Sequence, residues 1–132
     1  MKKNIWLVAA ICSLMACENA DHKKLESLQK EVESMHDKLM GPYMEIEDLR
    51  TEIRQKISKD TTGQAQAELI LLELTQAEKG MDNWMNNYNG DTLENLSAEE
   101  GEKYLLSEKK KVTQVESLTN ASVASAKQFL KK

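Results

Sequence analysis

The residues best suited to chemistry fall in two short stretches. Past residue 16 the chain has five methionines, two histidines and one tryptophan. Met35, Met40 and Met44 form one methionine group, Met81 and Met85 the other, and His36 and Trp84 lie among them. His36 and Met40 are four apart, as are Met81 and Met85, so each pair shares one side of a helix. Thioether and imidazole ligands suit Cu(I) or Ag(I), and an indole face can shield such a cation. That makes His36, Met40, Met81 and Met85, with Trp84 over the ion, a candidate soft-metal site. Packing competes with it and is the preferred reading. Methionine fills irregular space, and Gly41-Pro42 beside the first group would create such space. His36 then pairs with an acidic neighbour, Asp37 or Asp82.

Other chemistry is thinly represented. The sequence has no nucleophile elbow, no phosphate-cradling glycine loop and no HExxH pair, so we expect no enzyme. Lys109-Lys110-Lys111 follows Glu99, Glu100, Glu102 and Glu108 and reads as a solvated helix face. Glu45, Glu47, Asp48 and Glu52 lack the alternating oxygen ligands of a calcium loop. With 18 basic and 22 acidic residues the net charge is −4, which argues against nucleic acid as a partner.

These side chains need elements to position them. At 132 residues the chain is one domain, with 30% charged and 5% aromatic residues and a single proline. Three stripes of apolar residues stand out. Leu25, Leu28, Val32, Met35, Leu39, Ile46, Leu49, Ile53 and Ile57 keep a 3,4 spacing through Pro42, a heptad seam. Asp21 is placed to cap its start. Because the phase survives, we expect one long helix over 21–59, kinked at Gly41-Pro42; the alternative is a break with Pro42 opening a second helix. Asp60 to Gly63 is a turn, with Thr61 and Gln64 spaced as a capping box. Ala67, Ile70, Leu74, Ala77, Met81, Trp84 and Tyr88 mark a second helix over 62–88, with Leu69, Leu71 and Leu72 widening its apolar face. Asn86 to Gly90 suits a left-handed end. A loop over 89–96 follows, then a capping box at Ser97 and Glu100. A third helix over 98–130 carries Tyr104, Leu105, Val112, Val115, Leu118, Ala121, Ser122, Ala126 and Phe129. Nothing alternates with period two, so no sheet is expected. Short connections join neighbours antiparallel. The expected fold is all-α: an antiparallel up-down-up three-helix coiled-coil bundle over 25–132. In it the His36 and Trp84 stretches reach the same height.

The N-terminus has a different logic. Met1-Lys2-Lys3 is positive, and Ile5 to Ala16 is mostly apolar but too short for a stable membrane span. It reads as a secretory signal. Leu14-Met15-Ala16-Cys17 resembles the lipobox of bacterial lipoproteins. That resemblance implies cleavage before Cys17 and acylation of its sulfur, with 17–24 as lipidated cysteine and tether and 1–16 removed as signal peptide. Losing Lys2 and Lys3 leaves 16 basic and 22 acidic groups, net −6. The membrane is then met through lipid, not charge. The implied location is a bacterial cell envelope, facing the periplasm.

Residues Met35 to Met44, MHDKLMGPYM, followed by Glu45-Ile46-Glu47-Asp48-Leu49, resemble the "HDEVMPKM…I..L" stretch of small Gram-negative lipoproteins labelled viral A-type inclusion protein repeat. Ala77 to Met85 is similar to their "A…MMDWM" segment, and Tyr104-Leu105 with Glu108-Lys109 to their third helix. This chain departs from the pattern at Gly41, before the proline, and at Gly80, where a second methionine is common. The resemblance implies a lipid-anchored helical domain in which His36, Met40, Trp84 and Met85 recur together. It implies no activity. The resulting expectation is a scaffold or protein-interaction module with a protein partner.

Overall fold

The computed structural model describes the backbone of residues 8–132 and the side chains of residues 21–132. Helix α1 spans Val8–Met44 and α2 Ile46–Lys59. Helix α3 spans Gln64–Asn87, a 3-10 helix covers Gly90–Asn95, and α4 spans Ala98–Lys131. The described residues contain no strand. The molecule is all-helical, with three helical arms: α1 with α2, α3, and α4.

The first arm is nearly continuous. Pro42 lies inside α1. Its missing N–H deprives the Lys38 carbonyl of its helical partner. A side chain before proline crowds the proline ring in helical geometry, and Gly41 has none to offer. The regular pattern lapses only at Glu45, which keeps right-handed dihedrals (φ −76°, ψ −17°). The seven-residue frame passes through both features. Val32, Leu39, Ile46 and Ile53 are all at most 2% exposed. Helix α1 also runs from Val8 through the polar stretch 18–24, and Asp21 lies within it rather than at its start.

The turn after α2 departs from the expected chemistry. Thr61 and Gln64 form no capping box. The N-cap of α3 is Gly63, in the left-handed region at φ 82°, with no side-chain cap. The Asp60 carboxylate instead accepts the Thr62 N–H at 2.8 Å, and this bond holds its pKa below the usual range. Gln64 turns its side chain to Glu68.

In α3 the predicted seam from Ala67 to Trp84 is buried, and Tyr88 is half-buried. Leu69 and Leu72 do not widen it. They stand 63% and 54% exposed, because the seam is already filled by Ile70 and Leu74 on the opposite side. The C-terminus is not left-handed either. Tyr88 closes α3 in extended geometry, and Gly63 is the only described residue with positive φ. The connection over 89–96 is ordered by the 3-10 helix, with the Asn89 side chain accepting the Asp91 N–H at 3.1 Å.

Helix α4 opens on the predicted box. Ser97 Oγ accepts the Glu100 N–H, and the Glu100 carboxylate accepts the Ser97 N–H at 3.0 Å. The Ser97 hydroxyl also donates to that carboxylate at 2.6 Å, and this bond, with the Ser97 N–H, lowers the Glu100 pKa. Its buried side includes Gly101, Glu108, Thr119 and Val123, which the apolar pattern omitted, and leaves out Ala121, which is exposed.

Two clusters make the core. One gathers Ile46, Leu49, Ile53, Ile70, Leu74, Val123 and Phe129 near the Asp60 turn. The other gathers Val32, Leu39, Met81, Trp84 and Val112. Tyr43 packs against both. Ion pairs lace the arms together. Lys24 meets Glu102, Glu31 meets Lys109 and Glu45 meets Lys127, so position in α4 climbs with position in the first arm. Tyr43 meets Asp82 and Arg50 meets Glu78, so position in α3 falls as it climbs.

Candidate functional site

The second cluster brings the sequence-marked residues to one level. Helix α1 contributes His36 and Met40, and α3 contributes Met81, Trp84, Met85 and Tyr88. Trp84 lies on the α3 seam and is 5% exposed. Tyr88, one turn on, stacks with it at 5.0 Å and 20°. His36 lies against the same ring at 5.6 Å and 34°. Tyr104 continues the stack beyond Tyr88 at 6.4 Å. Met81 is fully buried, and Met40 and Met85 pack on the cluster from its edge. Met44, at 67% exposed, stands apart, as its angle on the α1 seam requires.

The polar partners sort themselves by reach. His36 Nδ1 lies 3.1 Å from Asp37 Oδ1. Asp82 instead accepts the Tyr43 hydroxyl at 2.5 Å, and that bond pushes the Tyr43 pKa up to about 12. Burial pushes Tyr88 up to about 12 as well. Among the described residues no three His, Cys, Asp or Glu side chains gather as a metal site. The Lys109-Lys110-Lys111 run is partly paired, Lys109 with Glu31 and Lys111 with Glu108, both at 2.6 Å. The acidic run is likewise divided, Glu45 to Lys127 and Glu47 to Arg50.

Two grooves flank Trp84. One, of about 490 Å³, lies between α1 and α3 and is lined by Glu33, His36, Asp37, Trp84, Met85 and Tyr88. The other, of about 570 Å³, lies between α3 and α4. Its wall holds the residue that sequence reasoning missed. Glu108 is 3% exposed. One of its oxygens takes Lys111, while the other has no hydrogen-bond partner among the described residues. Trp84 Nε1 and the Tyr88 hydroxyl are also buried and unpartnered. A signal for Glu108 existed. It sits midway between Gly101 and Val115 at seven-residue steps, on the frame that continues to Ser122 and Phe129.

The Cys17 side chain and residues 1–7 lie outside the described residues, so the expected lipidation and the start of the expected signal fall there. Among the described residues no helix is long and apolar enough to cross a membrane. No family model, curated protein or solved structure matches this chain. The arrangement itself is a packed aromatic and thioether layer between two open, polar-rimmed grooves.

Proposed function

We propose that this chain is a lipid-anchored helical scaffold of a bacterial envelope, facing the periplasm and presenting its helical arms to a protein partner. The observation that carries the proposal is Leu14-Met15-Ala16-Cys17 after a positive start and an apolar run. Acyl chains on Cys17 hold the chain at the bilayer, since each buried methylene contributes about 0.8 kcal/mol. The rest of the chain supplies reach. At about 1.5 Å per residue a helix as long as α4 extends roughly 50 Å. Leu69 and Leu72, exposed side by side on α3, offer a partner helix an apolar strip. We read the arms as up-down-up, with α3 antiparallel to its neighbours and the first arm bent at Gly41-Pro42. The ion-pair order supports the directions, and the lapse at Glu45 supports the bend.

Growth with labelled palmitate tests the anchor. The intact chain incorporates label and partitions with membranes, whereas Cys17→Ser incorporates none and washes free. An unlabelled, freely soluble parent chain refutes the proposal.

The contact of His36 with Trp84, with Met40, Met81 and Met85 on the same cluster, also favours a second reading as a Cu(I) or Ag(I) protein. Stoichiometric Ag(I) then quenches Trp84 fluorescence and His36→Ala abolishes the effect. No quenching removes this reading.

A further inference from the structure

Burying a polar group without a partner costs about 1–3 kcal/mol, so a native chain that keeps several at one place calls for a reason. Three of the four unpartnered buried side-chain atoms among the described residues lie at one level of this bundle: Trp84 Nε1, the Tyr88 hydroxyl and Glu108 Oε2. Trp84 and Tyr88 stack at 5.0 Å. Both Trp84 and Glu108, each more than nine-tenths buried, line the α3–α4 groove of about 570 Å³.

The chemistry of that groove narrows what fits. Trp84 brings a donor and Glu108 an acceptor. Asn83, Asn87 and Gln114 line the same wall and bring amides of both kinds. Asn87 Nδ2 already donates to Asn83, so its amide oxygen is the Asn87 group left to accept. The only charges are Glu108 and Lys111, and they are paired with each other at 2.6 Å. A ligand therefore gains nothing from net charge. It gains from groups that donate and accept at once, as adjacent hydroxyls do. Trp84 Nε1 and Glu108 Oε2 are closed to solvent in this structure, and the Lys111 side chain, 54% exposed and bonded to Glu108, is the part of the wall that can move.

We propose that the α3–α4 groove binds a neutral, hydroxyl-rich small molecule, a saccharide or polyol, with Trp84 Nε1 donating to one hydroxyl and Glu108 Oε2 accepting from a neighbouring one. Lys111 swings aside to admit it and remains bonded to the other carboxylate oxygen. The site is independent of whether Cys17 carries lipid.

The test uses the full chain, labelled with nitrogen-15, and follows the Trp84 indole N–H resonance, identified by its loss in Trp84→Phe. Glucose, maltose and sorbitol are titrated separately. A saturable shift of that resonance is expected. A shift with the two ring sugars alone assigns a saccharide, and a shift with sorbitol as well assigns a polyol. Glu108→Leu, which replaces a buried carboxylate by an apolar group and keeps the helix, weakens binding at least about tenfold through loss of one charge-assisted hydrogen bond. Its circular dichroism confirms that it folds. No saturable shift with any of the three, an ordered water being the only partner of these atoms, overturns the proposal. So does a folded Glu108→Leu that binds as tightly as the parent.

Discussion

Replacing Trp84 separates the two things its ring does. The side chain is 5% exposed and packs with Val32, Leu39, Met81 and Val112. Truncating a buried tryptophan to alanine typically costs about 3–5 kcal/mol. Part of that is returned here, because the buried N–H has no partner among the described residues and its desolvation, about 1–3 kcal/mol, disappears with the ring. Trp84→Ala should therefore destabilise by about 2 kcal/mol, a sizeable share of the roughly 5–15 kcal/mol that holds a domain together. Trp84→Phe behaves differently. It keeps a ring to stack on Tyr88 and gives up roughly 40 Å² of apolar area, worth about 1 kcal/mol. Removing the unpartnered donor offsets that, so its stability should stay within about 1 kcal/mol of the parent. Urea unfolding followed by far-ultraviolet circular dichroism measures both, with the midpoint moving and the slope constant. Equal losses in the two variants would mean that the N–H is satisfied after all. An unchanged Trp84→Ala would mean that the ring is not core.

Two glycines should respond in opposite directions. A Cβ at Gly80, inside α3, meets Val115 Cγ2 at an ordinary 3.5 Å, so Gly80→Ala should gain about 0.5–1 kcal/mol from helix propensity. At Gly63 the backbone is left-handed and a Cβ lies 3.3 Å from Phe129, so Gly63→Ala should lose more than about 1 kcal/mol. Thermal midpoints decide both, and a stabilising Gly63→Ala contradicts the turn geometry. Alkaline titration provides a third check. Tyr43 and Tyr88 have folded pKa values raised from 10.0 to about 12. Raised values mean that the fold favours the neutral phenol. Their contribution is complete below pH 10 and is lost as pH climbs towards 12. Tyrosinate absorbance should lag behind that of free tyrosine over that window while circular dichroism declines, and Tyr43→Phe should flatten part of the decline. Ordinary ionisation of Tyr43 and Tyr88 near pH 10 in the folded chain refutes this.

What the sequence made legible was the part of the structure governed by periodicity. Val32, Leu39, Ile46 and Ile53 hold one frame across a proline, and the core follows that frame. The Ser97–Glu100 box was legible because both of its partners are local. The Thr61–Gln64 spacing looked the same and failed, since Gly63 had already supplied a left-handed entry and Asp60 had taken the Thr62 N–H. Leu69, Leu72 and Ala121 failed for a different reason. Apolar character marks what can be buried, whereas the neighbouring arm decides which face it covers. That the His36 and Trp84 stretches share one height followed from register alone. Glu108 did not, because a carboxylate on a seam looks like an interruption of the pattern until the seven-residue steps around it are counted.

That frame on α4 explains how the third arm is held. Gly101, Glu108 and Ser122 occupy seam positions where α3 places Ile70, Leu74 and Trp84. Gly101 lets Leu25 and Leu93 approach to within 3.5 Å of where a Cβ would lie, so contact there is close but small in area. The Lys24–Glu102, Glu31–Lys109 and Glu45–Lys127 pairs lie along the same contact. Each is partly exposed and contributes at most about 1 kcal/mol. Three such pairs add little strength, yet all three are satisfied at one alignment of α4 against the first arm. Sliding α4 by a turn would break them together and carry Glu108 out of its place beside Trp84. The apolar seams, to which α4 itself adds Leu105, Val112, Val123 and Phe129, supply most of the stability. The charges and small residues of α4 fix the height at which the α3–α4 groove is assembled.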